Sequence, residues 1–222
     1  MRQRKIAPSI LDADFLNLGE QIEKINKGKA DLLHLDVMDG CFVPNISFGP
    51  KIVKSIRRIT KIPMDVHLMI ENPEKHLESF IEAGGDMITI HVETVKHLDR
   101  MVQRIRERGV KCGLALNPST SLSTVEYLLP KIDKLLIMTV NPGFGGQKFI
   151  PEMLKKIRNA WKMIENSPQL IDIEVDGGIN FTNVCDVIRS GANVIVAGSL
   201  IFKNDNPEEA IIKMKNMIIN CK

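Results

Sequence analysis

The sequence predicts an α/β protein: a single (β/α)₈ barrel of the TIM type that spans residues 1–222. Eight short apolar runs of strand type alternate with eight segments of helical spacing, and no change in composition marks a linker. The runs at 135–138 and 194–197 are apolar on both faces, as a parallel sheet covered by helices requires. The 222 residues fit the roughly 200–250 that one barrel needs. An open doubly wound sheet is the alternative, but no Gly-x-Gly-x-x-Gly follows the first strand.

The first four strand–helix units fill the N-terminal half of the chain. Helical spacing is clearest at 15–27, where Asp14 is a cap and Gly28 is a stop. Pro50 opens the second helix at a position that favours proline. The strands are predicted at 5–10, 32–36, 64–69 and 87–91, and the helices at 15–27, 50–58, 73–83 and 96–108.

Four further units follow in the C-terminal half. Gly191 ends the seventh helix, and Pro207 opens the last one. The strands are predicted at 111–116, 134–140, 170–176 and 194–197. The helices are predicted at 121–128, 151–165, 180–189 and 207–219, with a short extra helix at 200–202.

Composition excludes several classes of protein. The net charge is only +3, from 30 basic and 27 acidic residues that are interspersed, so we expect no nucleic-acid partner. No stretch approaches the roughly 18 apolar residues of a membrane span, so we expect no membrane partner. The cysteines are widely scattered and have neither Cys-x-x-Cys nor zinc-finger spacing. A reduced, cytoplasmic protein is therefore the expectation.

Ligand-type side chains stand at the ends of three predicted strands. His34 and Asp36 lie two residues apart and therefore share one face of the second strand. His67 lies near the end of the third strand and Asp176 ends the seventh. The C-terminal strand ends of such a barrel meet at one mouth, where these four groups suit a divalent ion such as Zn, Fe(II), Mn or Co. The alternative is that both histidines are buried structural residues.

The same mouth offers groups for proton transfer. Two carboxylates, Asp36 and Asp176, come from different strands and can flank one substrate carbon, which a two-base proton transfer needs. Met38, Met69 and Met138 end on the same side and could line the reacting group, although core filling is the alternative for each.

Glycine-rich turns after the sixth, seventh and eighth strands predict a phosphate cradle. Their backbone N–H groups can face an anion, and barrels of this kind often bind phosphate beside the last two strands and a short extra helix. Any single Gly-Gly is more often only a turn. The turns comprise Gly143, Phe144, Gly145, Gly146, Gly177, Gly178, Gly198 and Ser199.

Motifs along nearly the whole chain resemble the ribulose-phosphate 3-epimerase family. They are APSIL at 7–11, HLDVMDG at 34–40, FVPN at 42–45, DVHLM at 65–69, NPGFGGQ at 141–147, EVDGG at 174–178 and VAGS at 196–199. The resemblance implies a barrel enzyme of the pentose phosphate pathway that interconverts D-ribulose 5-phosphate and D-xylulose 5-phosphate through a cis-enediolate. It also implies one divalent metal ion per chain and a homo-oligomer.

The resemblance assigns roles residue by residue. It implies that His34, Asp36, His67 and Asp176 bind the metal, and that Asp36 and Asp176 are the acid/base pair. It implies that the phosphosugar contacts Ser9, His67, Gly143, Phe144, Gly145, Gly146, Asp176, Gly177, Gly178, Gly198 and Ser199. Cys41 is a departure, because many relatives have a histidine after Met-Asp-Gly, and this change affects a loop expected to cover the site.

Other functions fit parts of this pattern. The substrate could be a hexulose phosphate, such as allulose 6-phosphate, with the same chemistry at C3. A metal-dependent aldolase or decarboxylase would use the same barrel mouth to cleave a carbon–carbon bond. An inactive phosphosugar-binding protein is the distant alternative, which retention of both aspartates and both histidines disfavours.

Overall fold

Eight parallel strands form the barrel in this computed structural model, which describes residues 2–165, 167 and 169–221. The strands are β1 (Lys5–Pro8), β2 (Leu33–Met38), β3 (Met64–Met69), β4 (Met87–His91), β5 (Lys111–Leu116), β6 (Lys134–Met138), β7 (Asp172–Asp176) and β8 (Val194–Ala197). They pair in the order β1-β8-β7-β6-β5-β4-β3-β2. A parallel bridge between Ser9 and His34 joins β1 to β2 and closes the ring. The predicted (β/α)₈ barrel is confirmed.

Helices connect successive strands around the outside of the sheet. They are α1 (Leu18–Lys27), α2 (Pro50–Arg57), α3 (Leu77–Glu82), α4 (Leu98–Glu107), α5 (Met153–Ile164), α6 (Val184–Arg189), α7 (Ser199–Phe202) and α8 (Pro207–Asn220). The short extra helix predicted after the eighth strand is α7. Among the described residues, no helix combines the length and the apolar character needed to cross a membrane. The predicted domain also includes Met1, Asn166, Pro168 and Lys222, which lie outside the described residues.

Three helical segments differ from the prediction in type. The segment after β5 is a 3₁₀ helix, Leu122–Lys131, which contains Pro130; proline cannot donate the hydrogen bond of an α-helix interior. The first predicted helix opens with a 3₁₀ turn, Phe15–Asn17, capped as expected by Asp14, whose carboxylate accepts the N–H of Leu16 at 3.0 Å. The third opens with a 3₁₀ turn, Pro73–Lys75. Strand and helix ends otherwise differ by a few residues, as frayed termini do.

Alternation along the strands separates the two faces of the sheet. On β2, Leu33, Leu35 and Val37 pack in the main hydrophobic core, between the sheet and the helices. His34 and Asp36 alternate with them and point into the barrel, where both are buried. The strand pattern thus delivers polar groups to the barrel interior while its apolar face supports the fold.

The base of the barrel interior contains a buried ion-pair network that sequence analysis did not predict. The Lys134 ammonium bonds to Asp65 and lies 2.8 Å from Oε1 of Glu174, and all three side chains are fully buried. Gly113 leaves room for this arrangement, since a Cβ there would lie 3.0 Å from Cε of Lys134 and would collide with Thr89. The network fills the barrel below the strand ends.

A disulfide contradicts the expectation of a fully reduced chain. Cys185 in α6 is bonded to Cys221, which directly follows α8, with their Cα atoms 5.3 Å apart. The two cysteines are 36 positions apart in the sequence, so no local spacing signalled the pair. By loop entropy, a bond that closes a loop of this length stabilises the fold by about 4 kcal/mol. Cys41 and Cys112 are free.

Candidate active site

The strand ends surround a cavity at the C-terminal mouth of the barrel. Nearly all of the residues predicted to bind substrate line it: Ser9, Gly143, Phe144, Gly145, Gly146, Asp176, Gly177, Gly178, Gly198 and Ser199. Met38, Met69 and Met138 also line it and are almost fully buried. His67 is fully buried and is not among the lining residues, so its predicted contact with substrate stays a prediction.

Four ligand-type side chains converge at the floor of this cavity, where Asp36 and Asp176 line it and two buried histidines lie behind them. The Nε2 atom of His34 lies 3.2 Å from Oδ1 of Asp36 and 3.3 Å from Nδ1 of His67. The same Asp36 oxygen lies 3.0 Å from Nδ1 of His67. Oδ2 of Asp176 completes the group, 3.9 Å from His34 and 3.8 Å from His67. The cluster predicted from three separate strands therefore forms.

The geometry of the cluster fits a metal ion. All four ligand atoms lie within 4.8 Å of one another. Donors bound tetrahedrally at about 2.0–2.1 Å are separated by about 3.3–3.4 Å, close to the spacing found here. Two imidazole nitrogens and carboxylate oxygens of this kind suit Zn and the neighbouring transition metals. These residues can hold one divalent ion.

Two hydrogen-bond chains orient the imidazoles, and both were missed by sequence analysis. Nδ1 of His34 donates to Oδ2 of Asp65 at 3.1 Å, which leaves Nε2 free to face the cluster. Burial opposes ionisation of Asp65, but Lys134 and His34 together hold its pKa well below the ordinary value. An ionised Asp65 selects the tautomer of His34 that a metal ligand needs.

His67 is held through a longer chain. Its Nε2 lies 2.9 Å from Nε2 of His91, whose Nδ1 lies 3.0 Å from Oε2 of Glu93. Burial raises the pKa of Glu93, but hydrogen bonds from His91 and Thr120 and from the backbone N–H of Asn117 lower it to about 2. The ionised carboxylate accepts the His91 proton, so His91 can accept from His67 and leave Nδ1 of His67 facing the cluster.

The two aspartates have opposite electrostatic environments. Burial works against the charge on Asp36, but His34 and His67 hold its pKa far below the ordinary value. The Ser9 hydroxyl donates to its other oxygen at 2.5 Å. Burial and the negative charge of Asp36 raise the pKa of Asp176 to about 8. Two neighbouring carboxyl groups whose pKa values differ in this way can serve as base and acid.

Metal uptake by the metal-free chain is expected to release at least one proton at pH 7. Asp176, with its pKa near 8, is protonated there and must ionise to bind a cation. Asp176 keeps its proton in the folded chain up to a pH of about 8. Burial lowers the pKa of His34, but Asp36, Asp65 and Glu174 raise it well above the ordinary value, so this imidazole must lose a proton too. Metal affinity should therefore rise at least tenfold per pH unit from pH 6 to 8. Titration calorimetry in two buffers of different ionisation enthalpy measures the release. Equal affinity at pH 6 and pH 8 would contradict it.

The glycine turns serve packing as well as the cavity. Gly177 and Gly178 both have positive φ, and a Cβ at either would collide, at Gly177 with Val140 and at Gly178 with the backbone of Phe149. Glycine at these two positions is therefore explained by packing alone. The carbonyl of Gly143 accepts a hydrogen bond from Asn45 at 2.8 Å, which ties the loop after β6 to the loop after β2. Cys41 in that second loop is exposed.

Fold and site together define the class of the protein: a barrel enzyme with two carboxylates and two imidazoles at one metal-type centre. Residues 5–202 match the ribulose-phosphate 3 epimerase family. The chain is 53% identical over 213 residues to the ribulose-phosphate 3-epimerase of Synechocystis, with 95% of this chain and 93% of that protein covered. It is 48% identical over 212 residues to the Bacillus subtilis enzyme of that name, with coverage of 95% and 98%. The chain belongs to the ribulose-phosphate 3-epimerase family.

Solved structures of low sequence identity share the barrel. The 3-hexulose-6-phosphate synthase of Salmonella typhimurium superposes with a TM-score of 0.74 at 18% identity, covering 98% of this chain and all of that one. Thiamine phosphate pyrophosphorylase from Pyrococcus furiosus gives 0.66 at 16% identity, with coverage of 98% and 96%. At this identity the likeness concerns the fold alone.

Proposed function

We propose that the chain interconverts D-ribulose 5-phosphate and D-xylulose 5-phosphate by inverting carbon C3. The convergence of Asp36, Asp176, His34 and His67 within 4.8 Å at the floor of a cavity carries this proposal. Membership of the epimerase family supports it, and the substrate named for the relatives is a ribulose phosphate. No observation favours a six-carbon substrate or carbon–carbon cleavage.

The two aspartates act as the bases in this proposal. One carboxylate removes the C3 proton, and the electron pair moves onto the C2 carbonyl to give a cis-enediolate. The other aspartate delivers a proton to the opposite face of C3, which inverts that centre. In the reverse reaction the roles are exchanged. No redox cofactor enters, because the substrate carbonyl accepts and returns the electron pair.

His34, Asp36, His67 and Asp176 would hold the divalent ion. When bound, the ion would polarise the carbonyl as a Lewis acid and balance the charge on the substrate oxygens. The two imidazoles and two carboxylates suit Zn, Fe(II), Mn or Co. The hydrogen bond from Ser9 fixes the second oxygen of Asp36 in the site.

The remaining cavity residues would bind the rest of the substrate. The glycine turns after β6, β7 and β8 would receive the phosphate through backbone N–H groups. Met38, Met69 and Met138 would give the reacting carbons a polarizable, apolar surface. A homo-oligomer and a cytoplasmic location stay predictions.

Solvent exchange tests the proposed reaction. Ribulose 5-phosphate is incubated in D₂O with the chain before chelation, after chelation and after each metal is added back, and NMR follows C3. Xylulose 5-phosphate carrying deuterium at C3, formed only with metal, is the expected result. No exchange with any of the four metals would contradict the proposal, and the same assay with allulose 6-phosphate tests the six-carbon alternative.

A further inference from the structure

A carboxylate lies within the turns proposed to receive the phosphate. Asp12 ends the 3₁₀ turn Ile10–Asp12 directly after β1, and it lines the cavity with Gly145, Gly198 and Ser199. No motif in the sequence indicates a role for Asp12. Its position is therefore unexpected, because these turns were expected to offer only backbone groups to an anion.

The carboxylate makes close contact with two of the glycines. A Cβ at Gly145 would lie 2.5 Å from both carboxylate oxygens of Asp12, and a Cβ at Gly198 would lie 2.7 Å from Oδ2. The backbone N–H of Ser199 faces the same carboxylate and lowers its pKa. Only glycine leaves room for an anionic group at these two points. Asp12 therefore occupies the space beside the glycines and the backbone N–H group that an anion site would present to a ligand.

The surrounding charges fit an anion site too. Lys203, just after α7, lies on the same side of the cavity, since its Nζ would be 3.5 Å from a Cβ at Gly146. Burial raises the pKa of Asp12, the Lys203 ammonium lowers it, and the charge of Asp36 raises it again. The Asp12 carboxylate has therefore lost part of its hydration, which disfavours its charged form.

We propose that Asp12 is an internal competitor for the substrate phosphate: its carboxylate holds the anion cradle of the ligand-free chain and leaves when a phosphate ester binds. The inference rests on the phosphate cradle of the proposed function and adds a residue that sets its affinity. A phosphate and an ionised carboxylate cannot share the cradle, because like charges repel strongly at contact distance. A change of side-chain rotamer can move Asp12 away while the backbone of β1 stays in place.

Calorimetric titration of the metal-loaded chain with inorganic phosphate tests this inference. Asp12→Asn removes the charge and keeps the shape, and we expect it to bind phosphate at least tenfold more tightly than the wild type. Asp12→Ala should also bind more tightly. Asp205→Asn makes the same change in net charge at an exposed position and should alter the affinity less than twofold. The competitive inhibition constant of phosphate should fall in parallel with Kd.

Three outcomes would overturn the inference. If both Asp12 variants bound phosphate more weakly, Asp12 would assist phosphate binding by positioning the backbone of Ser199. Equal tightening by Asp205→Asn would reduce the effect to net charge. If neither the wild type nor any variant bound phosphate, these turns would not be a phosphate site. Failure of the proposed function is distinguishable: no C3 exchange, combined with tighter phosphate binding by Asp12→Asn, would leave this inference standing.

Discussion

Replacing Asp176 by asparagine should lower epimerase turnover by about 10²–10⁴-fold, the usual effect of losing an acid/base group. Asparagine keeps the shape of the side chain but cannot move a proton. The exposed fraction of the Asp176 side chain is 16%, against 4% for Asp36, so Asp176 is the carboxyl that opens more to the cavity. Steady-state assays of samples with verified metal content measure the loss.

Isotope exchange separates this role from metal binding. With Asp36 intact, Asp176→Asn should still exchange the C3 proton of one epimer with D₂O, without forming the other epimer. Loss of the metal would instead abolish exchange for both epimers. Asp36→Asn should cost more turnover, because Asp36 contacts both histidines.

A second aspartate on the same strand provides the control. Asp172 begins β7 at the opposite end of the barrel, where it pairs with Lys5 at 2.6 Å. Asp172→Asn makes the same chemical change and should leave turnover within about threefold. Wild-type turnover in a metal-loaded Asp176→Asn sample would remove Asp176 from the mechanism.

The strand ends could be predicted because alternation fixes which side chains face inward. His34 and Asp36 lie two residues apart, and the closed sheet brings them to His67 and Asp176. The carboxyl ends of parallel strands meet at one mouth of the barrel, and this places the four side chains next to one another. Three inferences were therefore enough to predict that four groups from three distant parts of the chain lie together. They are the position of each strand, the alternation that decides which of its residues face inward, and the closure of the barrel.

Other features depended on contacts that no local pattern announces. The partners of Lys134 lie 69 and 40 residues away, and a lysine that begins a strand normally faces solvent. A signal was nevertheless available, because Lys134 has the same parity along β6 as Met138, which was expected to face inward. Asp12 follows the end of β1, where alternation no longer applies. The Cys185–Cys221 bond depends on how α6 and the end of α8 pack.

Removing the buried ammonium should destabilise the fold more than any surface change. Lys134→Met is expected to lower the free energy of unfolding by about 3–5 kcal/mol, the usual cost of breaking a buried ion pair. Burial alone would lower the pKa of Lys134, but Asp65 and Glu174 raise it above the ordinary value, so lysine is charged in the barrel. Methionine has a similar size, so the loss reflects an uncompensated carboxylate and not a cavity. Urea unfolding of the metal-free, reduced chain measures it.

Lys131 supplies the matched control for this prediction. It pairs with Asp99 at the surface, where the side chains are 50% and 60% exposed, so Lys131→Met should cost at most about 1 kcal/mol. Adding Asp65→Asn to Lys134→Met should restore part of the loss, because the unpaired charge disappears while an oxygen remains to accept from His34. If Lys134→Met lowered the free energy of unfolding no more than Lys131→Met does, the network would stabilise the fold by packing and not by its charges. A large loss that Asp65→Asn partly restores would show that the charges at the base of the barrel depend on one another.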